Sequence, residues 1–173
     1  GDLPASHLLS SMKILAIETA NPAGTFALLN GGEVIAETSI EAVRETTQKF
    51  AVAISDLLAA AGWSPRDVQL VAVTHGPGSF TGIRIGVTAA KMFAFAVGAK
   101  SIGLDTLDVI ARQCKADEMP IEAVLDAHRG QLFVARYQSK PEFKRLLPIE
   151  IMDAEQWIAE RSSDAVLIGT GLR

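Results

Sequence analysis

The pattern of apolar residues predicts an α/β chain with two lobes. Three features carry that prediction. Apolar segments follow the order β-β-β-α-β-α-β-α through residue 113, a glycine-rich corner at 75–86 follows a strand and opens a helix, and short strands restart near Met119-Pro120.

Met12 to Glu18 is a short apolar run ending in an acid, which reads as a buried strand. Thr19 to Gly24 is turn chemistry, Thr25 to Leu29 a second strand, Asn30-Gly31-Gly32 a hairpin turn, and Glu33 to Ser39 a third strand. Then the period changes. Phe50, Ile54, Leu57, Leu58 and Ala61 share one helical face, and Gly62 is a natural stop before Ser64-Pro65. Thr46 or Thr47 is an acceptable cap for that helix. Gln69 to Thr74 reads as a buried strand, Phe80 to Val97 as a long helix, Lys100 to Gly103 as a strand, and Asp105 caps a helix through Gln113.

In the second lobe, Ile121 to Asp126 and Gln131 to Tyr137 are strands around the turn Ala127-His128-Arg129-Gly130. A polar loop, Ser139 to Lys144, leads to a strand at Leu146 to Ile149. Asp153 caps a helix through Glu160, and Ala165 to Ile168 is the last strand. The expected division is 1–11 as tag remnant or extension, 12–118 as the first lobe, and 119–173 as a shortened second lobe. Gly1 in place of Met suggests a trimmed tag, with Met12 as native start.

Composition narrows the function classes. The chain has 173 residues, 49% of them hydrophobic and 21% charged, which suits a packed core and excludes a disordered scaffold. Sixteen basic against twenty acidic residues give a net charge of -4, which argues against a broad basic nucleic-acid face. Lys140, Lys144 and Arg145 form the densest basic patch, read as a solvated loop beside Glu142. A lone Cys114 allows no internal disulfide and no Cys-x-x-Cys pair, so the chain reads as cytoplasmic. No signal peptide is expected. The apolar stretch Ile83 to Ala99 is broken by Arg84 and Lys91, so no membrane span is expected either.

His75-Gly-Pro-Gly-Ser-Phe-Thr-Gly-Ile-Arg-Ile-Gly86 is the most distinctive stretch. Gly76 and Gly78 permit positive φ, Ser79 suits an N-cap, and the first-turn amides make either an anion cradle or a tight strand-to-helix corner. It lacks the Gly-Lys-Ser/Thr of a Walker A loop and the spacing of a dinucleotide fingerprint. The two long helices carry little polar surface. Between Phe50 and Ala61 the only charge is Asp56; between Phe80 and Gly98 the only charges are Arg84 and Lys91, seven apart on one stripe. Gly82 and Gly86, four apart, would let another helix come close. Burial beneath the second lobe and a subunit interface are both open; the interface would use Ala53, Leu57, Ala60, Ile83, Val87, Ala90, Lys91 and Ala94.

M-K-I-L-A-I-E-T-A at 12–20, L-L-A-A-A-G at 57–62, G-P-G-S-F-T-G-I-R-I-G at 76–86 and V-L-D-A-H-R-G-Q-L-F at 124–133 resemble the bacterial TsaB (YeaZ) family, once grouped with M22 glycoprotease-like peptidases. The resemblance covers residues 12 to 137 and is most specific at 76–86. It implies an actin-like ATPase/RNase-H-like (ASKHA) fold. It also implies a non-catalytic role in placing threonylcarbamoyl on adenosine 37 of ANN-decoding tRNAs. The implied partners are a TsaD-like catalytic subunit, a TsaE-like ATPase in the complex, and a second copy of the chain when it is alone; tRNA is reached indirectly.

Chemistry can be weighed residue by residue. The TsaD-type relative carries a His-x-x-x-His metal pair; the equivalent stretch here, Ser101 to Asp108, has no histidine, so no metal site is expected. His7, His75 and His128 lie far apart in sequence. Ser79 lacks the Gly-x-Ser-x-Gly elbow of a nucleophile and reads as a cap. The family's nucleotide site would map to Glu18, Thr19, Gly76, Gly78, Ser79 and Asp126, with ATP or ADP and Mg²⁺ as ligands. Glu18 replaces the usual aspartate, its turn lacks glycines, and the chain stops at Gly169-Thr170-Gly171 before the family's adenosine-side helix, so a complete site within this chain is not expected. Glu45-Thr46-Thr47-Gln48 departs from a His-Ser pair common in the family. A small ATPase or a glycoprotease-like peptidase is the competing class.

Overall fold

A computed structural model of the chain describes residues 11–21, 23–41, 47–114 and 119–172. The chain divides into two compact units, Gly1–His75 with Ser79–Leu104, and Gly76–Gly78 with Asp105–Arg173.

The first unit is built on strands β1 (Lys13–Glu18), β2 (Gly24–Asn30), β3 (Glu33–Ile40), β4 (Leu70–Gly76) and β5 (Lys100–Asp105), in the order β3-β2-β1-β4-β5. The antiparallel meander β1-β2-β3 is as the tight turns predict, and β4 joins β1 in parallel. Register puts Leu15, Leu28 and Val71 side by side, and Ile17, Phe26 and Val73 likewise, so one face of the sheet is a continuous apolar surface. Helices α1 (Thr47–Ala60) and α2 (Phe80–Val97) contribute Phe50, Ile54, Leu57 and Leu58, and Ala90 and Ala94, to the core over that face. The Phe26 ring meets Phe50 edge-on, with centroids 4.6 Å apart, which fixes α1 against β2. The expected cap at Thr46 lies outside the described residues, as does the side chain of Thr47.

Helix α2 turns Gly82, Gly86, Ala90 and Ala94 inward, a row of small residues that lets it lie close to the end of β1. A Cβ on Gly82 would strike the Thr19 carbonyl oxygen, and a Cβ on Gly86 would strike the Thr19 hydroxyl. These glycines therefore admit the turn after β1 rather than another helix, which corrects the expectation from their spacing.

The second unit has strands β6 (Ile121–His128), β7 (Gln131–Gln138), β8 (Lys144–Arg145), β9 (Glu150–Asp153) and β10 (Val166–Ile168). Their order is β10-β6-β7-β8, with β9 also paired to β7. Ile121, Ala123, Leu125, Ala135 and Tyr137 face Leu107 and Ala111 of helix α3 (Thr106–Arg112). Val124, Leu132 and Val134 face Trp157 of helix α4 (Ala154–Glu160). Two expectations are corrected. Helix α3 packs on this sheet, so the boundary falls at Leu104/Asp105 instead of 118/119. Residues 146–149 are not a strand: the Leu146 and Leu147 N–H groups both point to the Arg136 carbonyl, and Pro148 has no N–H to donate. Asp153 caps α4 as expected, accepting from the Glu155 N–H at 3.0 Å.

Arg145 is no solvated loop residue. Its Nε donates to Asp108 at 3.0 Å, its guanidinium also bonds Asp105, and the buried Tyr137 hydroxyl donates to Asp108 at 2.8 Å. Asp105 stands at the N-cap of α3 but makes no cap bond there. Burial works against the charge on Arg145, yet its bonds to Asp105 and Asp108 hold its pKa well above the usual value. Burial, reinforced by the Asp108 acceptor, pushes the Tyr137 phenol up.

Two outcomes follow. Gly82→Ala should lower the unfolding free energy in urea by about 2–3 kcal/mol, because the helix must retreat from a backbone carbonyl. Gly86→Ala should cost less, since it meets a hydroxyl that can rotate away. Tyr137 is the only tyrosine, and unfolded it would lose its proton near 10.0. Above that pH the folded state holds the extra proton, so its contribution to stability is complete below pH 10 and falls as pH rises further. Alkaline denaturation curves should flatten in Tyr137→Phe relative to the wild type.

Candidate functional site

Two places in the first unit collect the residues singled out by sequence. One is the turn after β1 with the start of α2. Glu18 Oε1 accepts from the Ala20 N–H at 2.6 Å and lies 3.5 Å from the Thr74 hydroxyl. The Ser79 N–H donates to the Ala20 carbonyl at 2.7 Å, while Ser79 Oγ accepts from the Gly82 N–H at 3.3 Å. Ser79 is thus a working N-cap, as the sequence predicts. Thr19 is fully buried, and its hydroxyl has no hydrogen-bond partner among the described residues. Gly76 and Gly78, at φ 123° and 148°, occupy backbone conformations that side chains rarely adopt, so the corner needs both glycines.

The structure therefore brings Glu18, Thr19 and Ser79 together around one turn of the first unit, whereas Gly76 and Gly78 are grouped with the second. Asp126 belongs to the second unit, near the end of β6. Its Oδ1 accepts from the His128 N–H at 2.7 Å in a hairpin where His128 and Arg129 both have positive φ. Glu18 and Asp126 repeat one device: Glu18 ends β1, Asp126 stands two residues before the end of β6, and each accepts from the amide two residues ahead. An amide already bound to a carboxylate is a poor donor to an incoming phosphate.

His75, the last residue but one of β4, is exposed and lies over Gly103 of β5, where a Cβ would strike its ring. His128 lies in the second unit, and His7 is outside the described residues. Among the described residues, no three of His, Cys, Asp and Glu are grouped to hold a metal ion.

The second place is the outer surface of α1 and α2. A groove of about 890 Å³ runs between them, lined by Ile54, Leu58, Trp63, Arg84, Ile85 and Met92 among others. Phe95, Phe80 and Met92 of α2 and Val52 of α1 are 91%, 73%, 67% and 58% exposed. The interface set expected from sequence is corrected here. Leu57, Ala90 and Ala94 are buried in the unit's own core and cannot touch a partner. Ala53, Ile83 and Val87 are half-buried, and Ala60 and Lys91 are exposed. Phe80, Met92 and Phe95 were not singled out, because α2 is apolar nearly all round and composition alone does not say which side faces the sheet. By length and composition α2 also qualifies as a bilayer span, at a mean hydropathy of 1.4. Its Gly82, Gly86, Ala90 and Ala94 stripe is nevertheless buried in the unit.

Comparison with known proteins adds identity to this geometry. The family model for TsaD, tRNA N6-adenosine threonylcarbamoyltransferase, matches residues 33–153. The Escherichia coli tRNA threonylcarbamoyladenosine biosynthesis protein TsaB is 34% identical over 169 residues, 92% of this chain and 72% of its own length. The Bacillus subtilis protein of the same name is 35% identical over 129 residues, 75% of this chain and 56% of its own. The chain thus spans between half and three quarters of these relatives. Among solved structures, YeaZ from Pseudomonas aeruginosa superposes with a TM-score of 0.80 at 25% identity, covering 92% of this chain and 76% of that one. The fold is the expected actin-like ATPase/RNase-H-like one. With that fold, the 76–86 corner in place and a 34% identical relative spanned over most of its length, the chain belongs to the TsaB (YeaZ) family.

Proposed function

We propose that this chain is the non-catalytic partner subunit of the complex that installs threonylcarbamoyl on adenosine 37 of ANN-decoding tRNAs. In this reading the outer surface of α1 and α2 docks a TsaD-like catalytic subunit, a TsaE-like ATPase joins the assembly, and tRNA is reached through the partner. A second copy of the chain occupies the same surface when the partner is absent.

The observation that carries the proposal is the row of outward Phe80, Met92 and Phe95 beside the α1–α2 groove. Large apolar side chains set together around a groove mark an interaction surface. The match to the TsaD family model supports pairing between like folds, in which each partner offers a similar helix layer. The names of the curated relatives support work in threonylcarbamoyladenosine biosynthesis. A role without chemistry of its own is supported by Glu18 and Asp126, each spent on its own turn. The net charge of -4 supports contact with tRNA through a partner.

The test is co-elution with a TsaD-like protein, followed by light scattering. Phe95→Arg and Met92→Asp should each weaken the complex by at least about 2 kcal/mol. The melting temperature of the chain should stay unchanged, because both side chains are already in solvent. An intact complex in both variants would remove the docking surface from consideration. Titration of the chain alone with ATP and Mg²⁺ should show no binding tighter than about 1 mM; micromolar binding would restore the ATPase reading.

A further inference from the structure

The charges on the α1–α2 surface carry information that its apolar residues do not. We infer that this face is matched to a partner protein that presents a pair of carboxylates about 10 Å apart, rather than to a second copy of this chain. The inference rests on the docking role proposed above and specifies the chemistry of what docks.

Helix α2 bears two charges, Arg84 and Lys91, and no acid. They are seven residues apart, so they share one stripe and stand two turns from each other. Both are exposed, and neither has a carboxylate partner among the described residues. Arg84 also lines the groove, with its guanidinium 5.4 Å from the centre of the Phe80 ring. That contact holds the charge at the groove wall without neutralising it. A partner that seats on Phe80, Met92 and Phe95 must therefore cover or flank both cations. Neutral or basic surroundings would strand them, so carboxylates opposite are the complement.

A second copy supplies that complement poorly. The described part of α1 carries a single acid, Asp56, which is exposed and has no ion-pair partner among the described residues, together with Lys49. Asp56 lines a separate groove beside β3, with Glu37 and Lys49, and not the α1–α2 groove that Arg84 lines; the described residues of the two helices therefore offer little acid to the Arg84 and Lys91 of a second copy. Like charges brought together select against a pairing as effectively as good contacts select for one. Self-association should therefore be opposed by electrostatics, and association with an acidic partner assisted by it.

The two associations then respond to salt with opposite sign, since screening weakens attraction and repulsion alike. The experiment compares wild type with the Arg84→Gln/Lys91→Gln double variant. Binding to a TsaD-like protein is followed by calorimetry and self-association by analytical ultracentrifugation, each at about 50 mM and about 500 mM NaCl. For wild type, partner binding should weaken with salt and self-association should strengthen. The double variant should bind the partner roughly tenfold less tightly and self-associate more tightly. Circular dichroism checks that the variant is folded. Partner binding that neither salt nor the variant alters overturns the charge match while the docking role stands. Tighter self-association in wild type than in the variant overturns it as well. If wild type binds no TsaD-like protein at either salt, the docking role falls and this inference falls with it.

Discussion

Thr19 and helix α2 approach each other so closely that no side chain fits between them at residues 82 and 86. Much of the first unit depends on this constraint. The Ser79 N–H is bonded to the Ala20 carbonyl, which ties the helix start to the turn after β1, and the Ser79 hydroxyl caps the helix itself. With its start fixed there, α2 lays Ala90 and Ala94 over the apolar face that also receives α1. The remaining sides of both helices are left to solvent. The glycines of the 76–86 block thus answer first to packing and to backbone conformation.

The local parts of this arrangement were legible in the sequence. Alternation and turn residues placed β1 to β3, the 3.6-residue period placed α1, and Ser79 and Asp153 were read correctly as caps. What required partners distant in sequence was not legible. The spacing of Gly82 and Gly86 says that something comes close, but a turn sixty residues earlier and a neighbouring helix leave the same mark. Ala90 and Ala94 look no different from surface alanines on a helix that is apolar on most sides. Arg145 resembled its solvated neighbours because Asp105 and Asp108, which hold it, lie 40 and 37 residues away along the chain. The strands β8 and β9 are short and set by pairing to β7, so hydrophobicity alone drew one strand across the gap between them.

The acids of two turns serve structure within their own units. Glu18 closes the turn after β1, and Asp126 closes the hairpin after β6, by the same hydrogen-bond pattern. Both carboxylates are hydrogen-bonded within their own turns, while the outer helix surface combines exposed aromatic residues with a defined charge pattern. Proposed docking and proposed selectivity reside in different atoms of that surface: apolar side chains supply contact, and two cations select what may make it.

The outward placement of Met92 and Phe95 separates folding from the proposed docking. Neither side chain belongs to the core that holds the unit together. An alteration there leaves the folding equilibrium nearly untouched, so screens based on melting temperature or protease resistance are blind to it. The same independence makes the surface a free parameter for engineering: its specificity can be rewritten residue by residue without compensating changes in the sheet beneath.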